Sequence, residues 1–316
     1  MRRFLPYVVM IAFAVWCLVA LRGDLAKLSL VPVIRAWDVV LLTAVLSLTN
    51  YVLRIVRWRT YLARLGHQIS YRFAALTFTA GFAYTLSPGK VGEMVRARYY
   101  TPLGVPLSDV AAAFFAERFL DLVAMVALAT LVVADSSGYR GAILGGGAGA
   151  LACLLALTLL PWSDISTRLS SWSRIPRMLR SPLGKIAKML ASTRVLLSPG
   201  LLLKGFVLGL IAWSLEGIGL GLLSSMFPDS HLSLVGATGI YGVAVLIGGL
   251  SFLPGGLGST EAVMTGLLAT AGFSLSEAFL LTLTCRLVTL WLAVVLGWVA
   301  VLILRQRRTV EVIPWQ

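Results

Sequence analysis

Two stretches of the chain read alike: Leu86-Ser87-Pro88-Gly89-Lys90-Val91-Gly92-Glu93 and Phe252-Leu253-Pro254-Gly255-Gly256-Leu257-Gly258. They share Pro-Gly-x-aliphatic-Gly, and each halts an apolar run, Phe73–Leu86 in the first case and Leu232–Leu253 in the second. The likeness continues downstream, where Leu107-Ser108-Asp109 matches Leu275-Ser276-Glu277. Nine residues beyond each acid stands an arginine inside an apolar segment, Arg118 and Arg286. From proline to arginine is 30 residues in one copy and 32 in the other. A Pro-Gly pair alone marks only a loop. Two at nearly equal offsets from a lone intramembrane cation point to an internal repeat.

The surroundings of both copies belong to a membrane protein. Of 316 residues, 59% are hydrophobic and 13% charged, with a mean hydropathy of +0.90. A soluble domain carries about 25% charged residues. Soluble enzyme, nucleic-acid-binding domain and disordered chain are therefore excluded as readings, and nucleic acid is not an expected partner despite the net charge of +14. Segments near the roughly 20 residues needed to span hydrocarbon are Phe4–Leu21, Trp37–Trp58, Phe73–Leu86, Asp109–Ala134, Gly141–Leu160, Gly205–Phe227, Leu232–Leu253 and Glu277–Leu304. Phe4–Leu21 lacks a small-residue cleavage site and reads as a retained helix.

Most of the 27 Lys and Arg fall in four places: the N-terminus, residues 54–72, the 161–199 loop and the tail from Arg305. Placing all four in the cytoplasm satisfies the positive-inside rule. The crossings then count correctly only if the first Pro-Gly segment enters and leaves on the cytoplasmic side and the second on the outer side. The expected fold is an all-α integral membrane protein, a polytopic helical bundle with about six full crossings, two re-entrant helical hairpins in an inverted repeat, and both termini cytoplasmic. Repeat one spans about 1–134 and repeat two about 139–304, within a single transmembrane domain over 1–316. In the basic loop 161–199, Leu183, Ile186, Ala187 and Leu190 share a helical face with Lys185 and Lys188 off it. That suits a helix lying on an anionic leaflet, or simply a solvated loop.

Non-helical backbone at membrane depth is tolerated where it is buried in protein or lines a wet cavity. Ser87-Pro88-Gly89 and Pro254-Gly255-Gly256 should each end one helix and open another near Lys90 and Ser259. Free amide groups there suit a phosphate or carboxylate, with Gly92 and Gly258 admitting a ligand or a neighbouring helix closely. The plain alternative is an ordinary interhelical loop. Glu93 and Glu261 fall in the first turns of these half-helices, either compensating the dipole or meeting a cation in a solvated cavity. An ionisable group at the bilayer centre costs roughly 2.5–3.5 kcal/mol on insertion scales.

Glu117, Arg118 and Asp121 form the densest intramembrane charge group. Arg118 and Asp121 can pair along one helix face; the surplus acid requires a partner elsewhere, with Arg286 the first candidate, or it titrates. Arg286 has no acid within a turn and needs a carboxylate from another segment or an anionic ligand. Lys90, Arg96 and Arg98 add positive charge, though Arg96 and Arg98, the latter above all, have snorkelling to the interface as an alternative. Glu216, alone mid-helix, is a weaker candidate. Cys17, Cys153 and Cys285 read as small buried hydrophobes, and His67 and His231 stand apart. No cofactor, metal spacing, P-loop or catalytic constellation emerges.

At Pro88-Gly-Lys-Val-Gly-Glu-Met-Val-Arg96, Glu117-Arg118-x-x-Asp121 and Pro254-Gly-Gly-Leu-Gly-Ser-Thr-Glu261-Ala, over roughly 35–305, the chain resembles the lysylphosphatidylglycerol synthase transmembrane family, whose members are also described as flippase-like. In bifunctional members this region precedes a cytoplasmic aminoacyltransferase domain; with Gln316 soon after the last helix, only the lipid-translocating half is expected to carry over. Some standalone relatives are linked to polyprenyl-phosphate-sugar or glycolipid pathways. The resemblance implies a transporter in the cytoplasmic membrane of a prokaryote that moves an anionic or aminoacylated phospholipid, or a polyprenyl-phosphate-linked lipid, between leaflets. The candidate substrate residues are Gly89, Lys90, Gly92, Glu93, Arg96, Glu117, Arg118, Asp121, Gly255, Gly256, Gly258, Glu261 and Arg286. The alternatives are a membrane enzyme acting on a lipid-linked phosphate or glycolipid, and a non-transporting scaffold or partner of a lipid-modifying enzyme; a homo-oligomer is the other association expected.

Overall fold

The computed structural model describes residues 29–133, 186, 189–228, 230 and 232–309. The expected segments Phe4–Leu21 and Gly141–Leu160, most of the basic loop, Cys17, Cys153 and His231 lie outside the described residues. Within them the chain is all helical. The principal helices are α1 (Trp37–Arg64), α2 (Tyr71–Phe82), α3 (Leu107–Val133), α4 (Pro199–Leu223), α5 (Leu234–Leu250), α6 (Ser259–Thr270), α7 (Leu275–Arg286) and α8 (Leu292–Thr309). A π-helical stretch, Leu287–Trp291, joins α7 to α8 without a break. Three rods are long and apolar enough to cross a membrane: α1, Pro199–Met226 and Leu275–Gln306. Leu107–Val133 matches them in length, at 27 residues, but carries internal charge.

Local sequence sets the ends. Helix α1 closes where Gly66 takes φ 94° and the His67 amide donates to the Leu62 carbonyl, a glycine cap that satisfies last-turn carbonyls. Ser70 and Ser233 cap α2 and α5 by accepting from the Phe73 and Gly236 amides. At α7, Ser274 and Glu277 bond reciprocally as a capping box.

Helix α1 continues as one rod past Trp58, the end of its apolar run, to Arg64. Arg54 and Arg57, counted in the sequence as cytoplasmic charge, are therefore buried inside a spanning helix. The first break also differs from expectation. No α-helix opens at Lys90; Pro88–Arg96 winds as a 3-10 segment, because Gly89 (φ 60°) and Lys90 (φ 57°) are both left-handed. A side chain at such φ is costly, and Lys90 is one of only two non-glycine cases among the described residues, the other being Phe252 beside the second break. The second break follows expectation: Pro254–Gly256 turns through Gly255 (φ 63°) and α6 begins at Ser259.

Packing is reciprocal. Helix α3, which follows the first break, lies against α5, which precedes the second; α8, beyond the second, lies against α2, before the first. Backbones touch where glycine permits, Gly242 on Leu128 and Ala129, and Gly297 on Phe82 and Ala83, as in helix pairs in lipid generally. Between these pairs α4 crosses α1, joined by an Asn50 Nδ2 donation to the Ala212 carbonyl at 2.8 Å. The outward faces of α1 (Leu41, Val45, Leu48, Val52) and α8 (Val295, Trp298, Leu302) are apolar and exposed, the surface a lipid-facing helix needs. Because Gly297 has backbone rather than a movable side chain in its way, Gly297→Val should separate α8 from α2. Overpacking of this kind costs about 1–3 kcal/mol or more, read as a lowered melting temperature in detergent.

The two breaks themselves meet. Gly89 faces the Phe252 ring, where an added Cβ would stand 3.8 Å away, and Gly255 faces Leu86, where it would stand 2.6 Å away. Leu86 is two residues before Pro88 and Phe252 two before Pro254, so each glycine receives the corresponding side chain of the other break.

Candidate functional site

A cavity of about 280 Å³ opens beside this contact, lined by parts of both breaks and by α1, α3, α4, α5 and the π-helical stretch. Its charge comes mainly from α3. Glu117, fully buried, is surrounded by guanidinium groups: Arg118 at 2.9 Å and Arg54 at 3.3 Å on Oε1, with Arg57 at 3.5 Å, and Arg96 at 3.0 Å on Oε2. Asp121, one turn on, is held by Arg57 at 2.5 Å and Arg118 at 3.0 Å. Glu93 pairs with Arg96 at 2.8 Å and accepts from the Thr85 hydroxyl. Aromatic faces support the cations: Arg96 lies 3.8 Å from the Phe78 ring centre, and Arg54 lies 5.4 Å from that of Trp213.

On this side Arg54, Arg57, Lys90, Arg96 and Arg118 confront Glu93, Glu117 and Asp121, five cations to three carboxylates. The surplus is not hidden in pairs. Lys90 has no carboxylate within ion-pair distance among the described residues, and its Nζ rests 5.7 Å from the Trp213 ring centre on the cavity wall. The buried Nε–H groups of Arg54 and Arg118 have no acceptor among the described residues, and both side chains line the cavity. Uncompensated positive charge at low dielectric demands an anion.

The second break contributes less charge and uses it differently. Arg286 donates through Nε to Glu261 Oε1 at 2.6 Å and through Nη2 to the Gly255 carbonyl at 2.9 Å. Its partner is therefore Glu261 and not Glu117, because Glu117 is already saturated by four arginines. Glu261 also accepts from the Gly258 amide at 2.6 Å, which caps α6 and occupies one of the amides expected to await a ligand. Glu216 lines the cavity from α4 and accepts from the Tyr241 hydroxyl at 2.5 Å.

Of the sequence-predicted residues, Gly89, Lys90, Glu93, Arg118, Asp121, Gly255, Gly256 and Arg286 line the cavity. Arg96, Glu117 and Glu261 stand behind them and hold them. Arg96 is wholly buried, so it does not snorkel. Gly92 is corrected in role: a side chain there would strike Ser87 and the Tyr84 carbonyl, so its smallness serves its own segment and not a ligand or another helix. Gly258 is the N-cap of α6. Arg54, Arg57, Trp213 and Tyr241 were missed. The signal for the two arginines was present, since both fall within the Trp37–Trp58 apolar run and three apart, on one helix face.

The model of the family described as the lysylphosphatidylglycerol synthase transmembrane region matches residues 6–297, nearly the whole chain and both Pro-Gly breaks. The chain belongs to this family. Two curated relatives, both from Methanothermobacter thermautotrophicus, are named as UPF0104 membrane proteins. One is 27% identical over 278 residues, covering 83% of this chain and 82% of the relative. The other is 25% identical over 287 residues, covering 83% and 84%. With membrane relatives of equal extent and three apolar rods, this member of the lysylphosphatidylglycerol synthase transmembrane family is a multi-pass membrane protein.

Proposed function

We propose that the protein translocates the anionic headgroup of a lipid, a phospholipid or a polyprenyl-phosphate-linked lipid, between the leaflets of a prokaryotic cytoplasmic membrane. The observation that carries this reading is the cavity wall where Lys90, without a carboxylate in ion-pair distance among the described residues, stands with the guanidinium groups of Arg118 and Arg54 in a group of five cations to three carboxylates. A phosphate placed there would take charge-assisted hydrogen bonds from the Lys90 ammonium and from a guanidinium N–H, while the acyl or prenyl chain stays in lipid. The two breaks are read as re-entrant hairpins entering from opposite sides within an inverted repeat of six full crossings, both termini cytoplasmic. The reciprocal contact of Gly89 with Phe252 and Gly255 with Leu86 supports that reading, because a pseudo-two-fold axis generates such a pair.

The test is reconstitution into liposomes with labelled phosphatidylglycerol, lysylphosphatidylglycerol and undecaprenyl phosphate, assayed for leaflet exchange. Exchange of at least one anionic lipid is expected. No exchange, together with a covalently altered lipid formed in detergent without a bilayer, would establish the enzymatic alternative instead. Cysteines placed at Lys90 and Gly256 in a background free of natural cysteine should react with aqueous thiol reagents, each from at least one side. Protection of both from either side would leave no wet cavity for a headgroup.

A further inference from the structure

Four of the five acids around the breaks are claimed by arginine: Glu93 by Arg96, Glu117 and Asp121 by several, and Glu261 by Arg286. Glu216 is the exception. It sits mid-way along α4 with 4% of its surface exposed and has no cation within ion-pair distance among the described residues. Among the described residues its one hydrogen bond is from Tyr241 to Oε2, Oε1 has no partner, and Glu216 lines the cavity. A lone carboxylate this deep is expensive when charged.

The groups facing it are few. Helix α1 presents Arg54 and Tyr51, whose hydroxyl is committed to the Thr289 carbonyl; the first break presents Lys90. Helix α5 presents Tyr241, and α7 presents Cys285 and Arg286. Helix α3 turns Glu117, Arg118 and Asp121 to the other side of the cavity, where they bind one another. Of the cations near Glu216, Arg54 is shared with Glu117 and Arg286 with Glu261, so Lys90 is the one whose charge is not already spent on a carboxylate. A metal ion would meet these three positive charges with a single carboxylate to hold it, and no cluster of metal-ligating side chains exists among the described residues.

The geometry points to Glu216 as a proton carrier linked to headgroup binding, so that one proton travels with each anionic lipid. This rests on the translocation reading above and adds its driving force. In the empty cavity the Glu216 carboxylate feels Arg54, Lys90 and Arg286 through space, and of these Lys90 alone holds no carboxylate within ion-pair distance among the described residues. A lipid phosphate seated on Lys90 and Arg118 takes that positive charge for itself. Glu216 then binds one proton, from water on the side to which the cavity is open, at Oε1. The O–H bond formed on Glu216 replaces one broken in a hydronium ion, which leaves as water, and one unit of the negative charge added by the phosphate is cancelled. Release of the phosphate on the far side returns Lys90 to Glu216 and the proton to the water there.

The test uses the whole protein and short-chain phosphatidate, a probe with a phosphate and no amine. Infrared difference spectra in detergent should show a protonated carboxyl band growing when phosphatidate is added, and the band should be missing in Glu216→Gln. In liposomes, a transmembrane difference of one pH unit should shift the steady-state leaflet ratio of labelled lipid by up to about tenfold, and the shift should vanish in Glu216→Gln. A wild-type protein that shows no such band, or a band that persists in Glu216→Gln, overturns the inference. Exchange that ignores the pH difference overturns it too, while leaving translocation standing. If no lipid exchanges at all, translocation falls and the carboxyl band alone decides for or against Glu216.

Discussion

Glu117→Gln should be the most destabilising conservative substitution in the described part of the chain, lowering stability by about 3–5 kcal/mol. The change is nearly isosteric, so no cavity or clash accompanies it, and the loss is electrostatic. Four guanidinium groups converge on this one carboxylate within 3.5 Å, in a place with no exposure to solvent. Remove its charge and Arg54, Arg57, Arg96 and Arg118 are left with Asp121 and Glu93 as their counter-ions. Glutamine can accept from one or two of them but also brings an N–H₂ that meets only donors. Thermal unfolding in detergent checks this, with Glu261→Gln as comparison: Glu261 is more exposed and bonded to a single arginine, so its loss should be clearly smaller. Equal stability of Glu117→Gln and the wild type would mean that Glu117 is neutral in the native protein, and the electrostatic account of the site would fail with it.

The second large effect concerns transport and not folding. Lys90→Gln should reduce lipid exchange by about tenfold or more and leave the melting temperature close to that of the wild type. Lys90 holds no carboxylate among the described residues, so removing its charge breaks no native pair, whereas a hydrogen bond to a charged group is worth about 1.5–3 kcal/mol. Arg118→Ala should go further, about a hundredfold, because it removes a guanidinium from the cavity wall together with its brace on Glu117 and Asp121; Arg118→Lys, which keeps charge but not the planar geometry, should recover only part of it. Arg118 also braces Glu117 and Asp121 at 2.9 and 3.0 Å, so its variants require the same unfolding measurement alongside. Full exchange activity in Lys90→Gln, with the protein correctly folded, would remove the phosphate from this wall of the cavity.

The sequence made some of this visible for physical reasons. A charged residue inside an apolar run is conspicuous, and helix spacing alone pairs Arg118 with Asp121, as observed. Arg286, lacking an acid within one turn, had to find one from another segment or a ligand, and it found Glu261. The Pro-Gly motifs marked both breaks, the second to the residue, whereas before the first α2 already ends at Phe82. Spacing fails where partners come from different helices: nothing in the order of residues says that Glu117 would gather arginines from α1 and from the first break. Arg54 and Arg57 were misplaced because counting charge by segment treats every arginine near a helix end as a loop residue, although α1 runs on to Arg64. The 3-10 path through Pro88–Arg96 was hidden because it depends on Lys90 adopting a left-handed conformation, which no lysine does by preference.

The way the two breaks grip one another has a mechanical corollary. Leu86 fills the notch at Gly255 while Phe252 covers Gly89, so the same apolar seam closes the centre from both directions. On the proposed translocation, tilting either segment away would press on its counterpart, like the arms of a balance sharing one knife-edge. A vestibule widened toward one face would then be narrowed toward the other, and no separate plug would be required to keep ions from draining the cell's voltage.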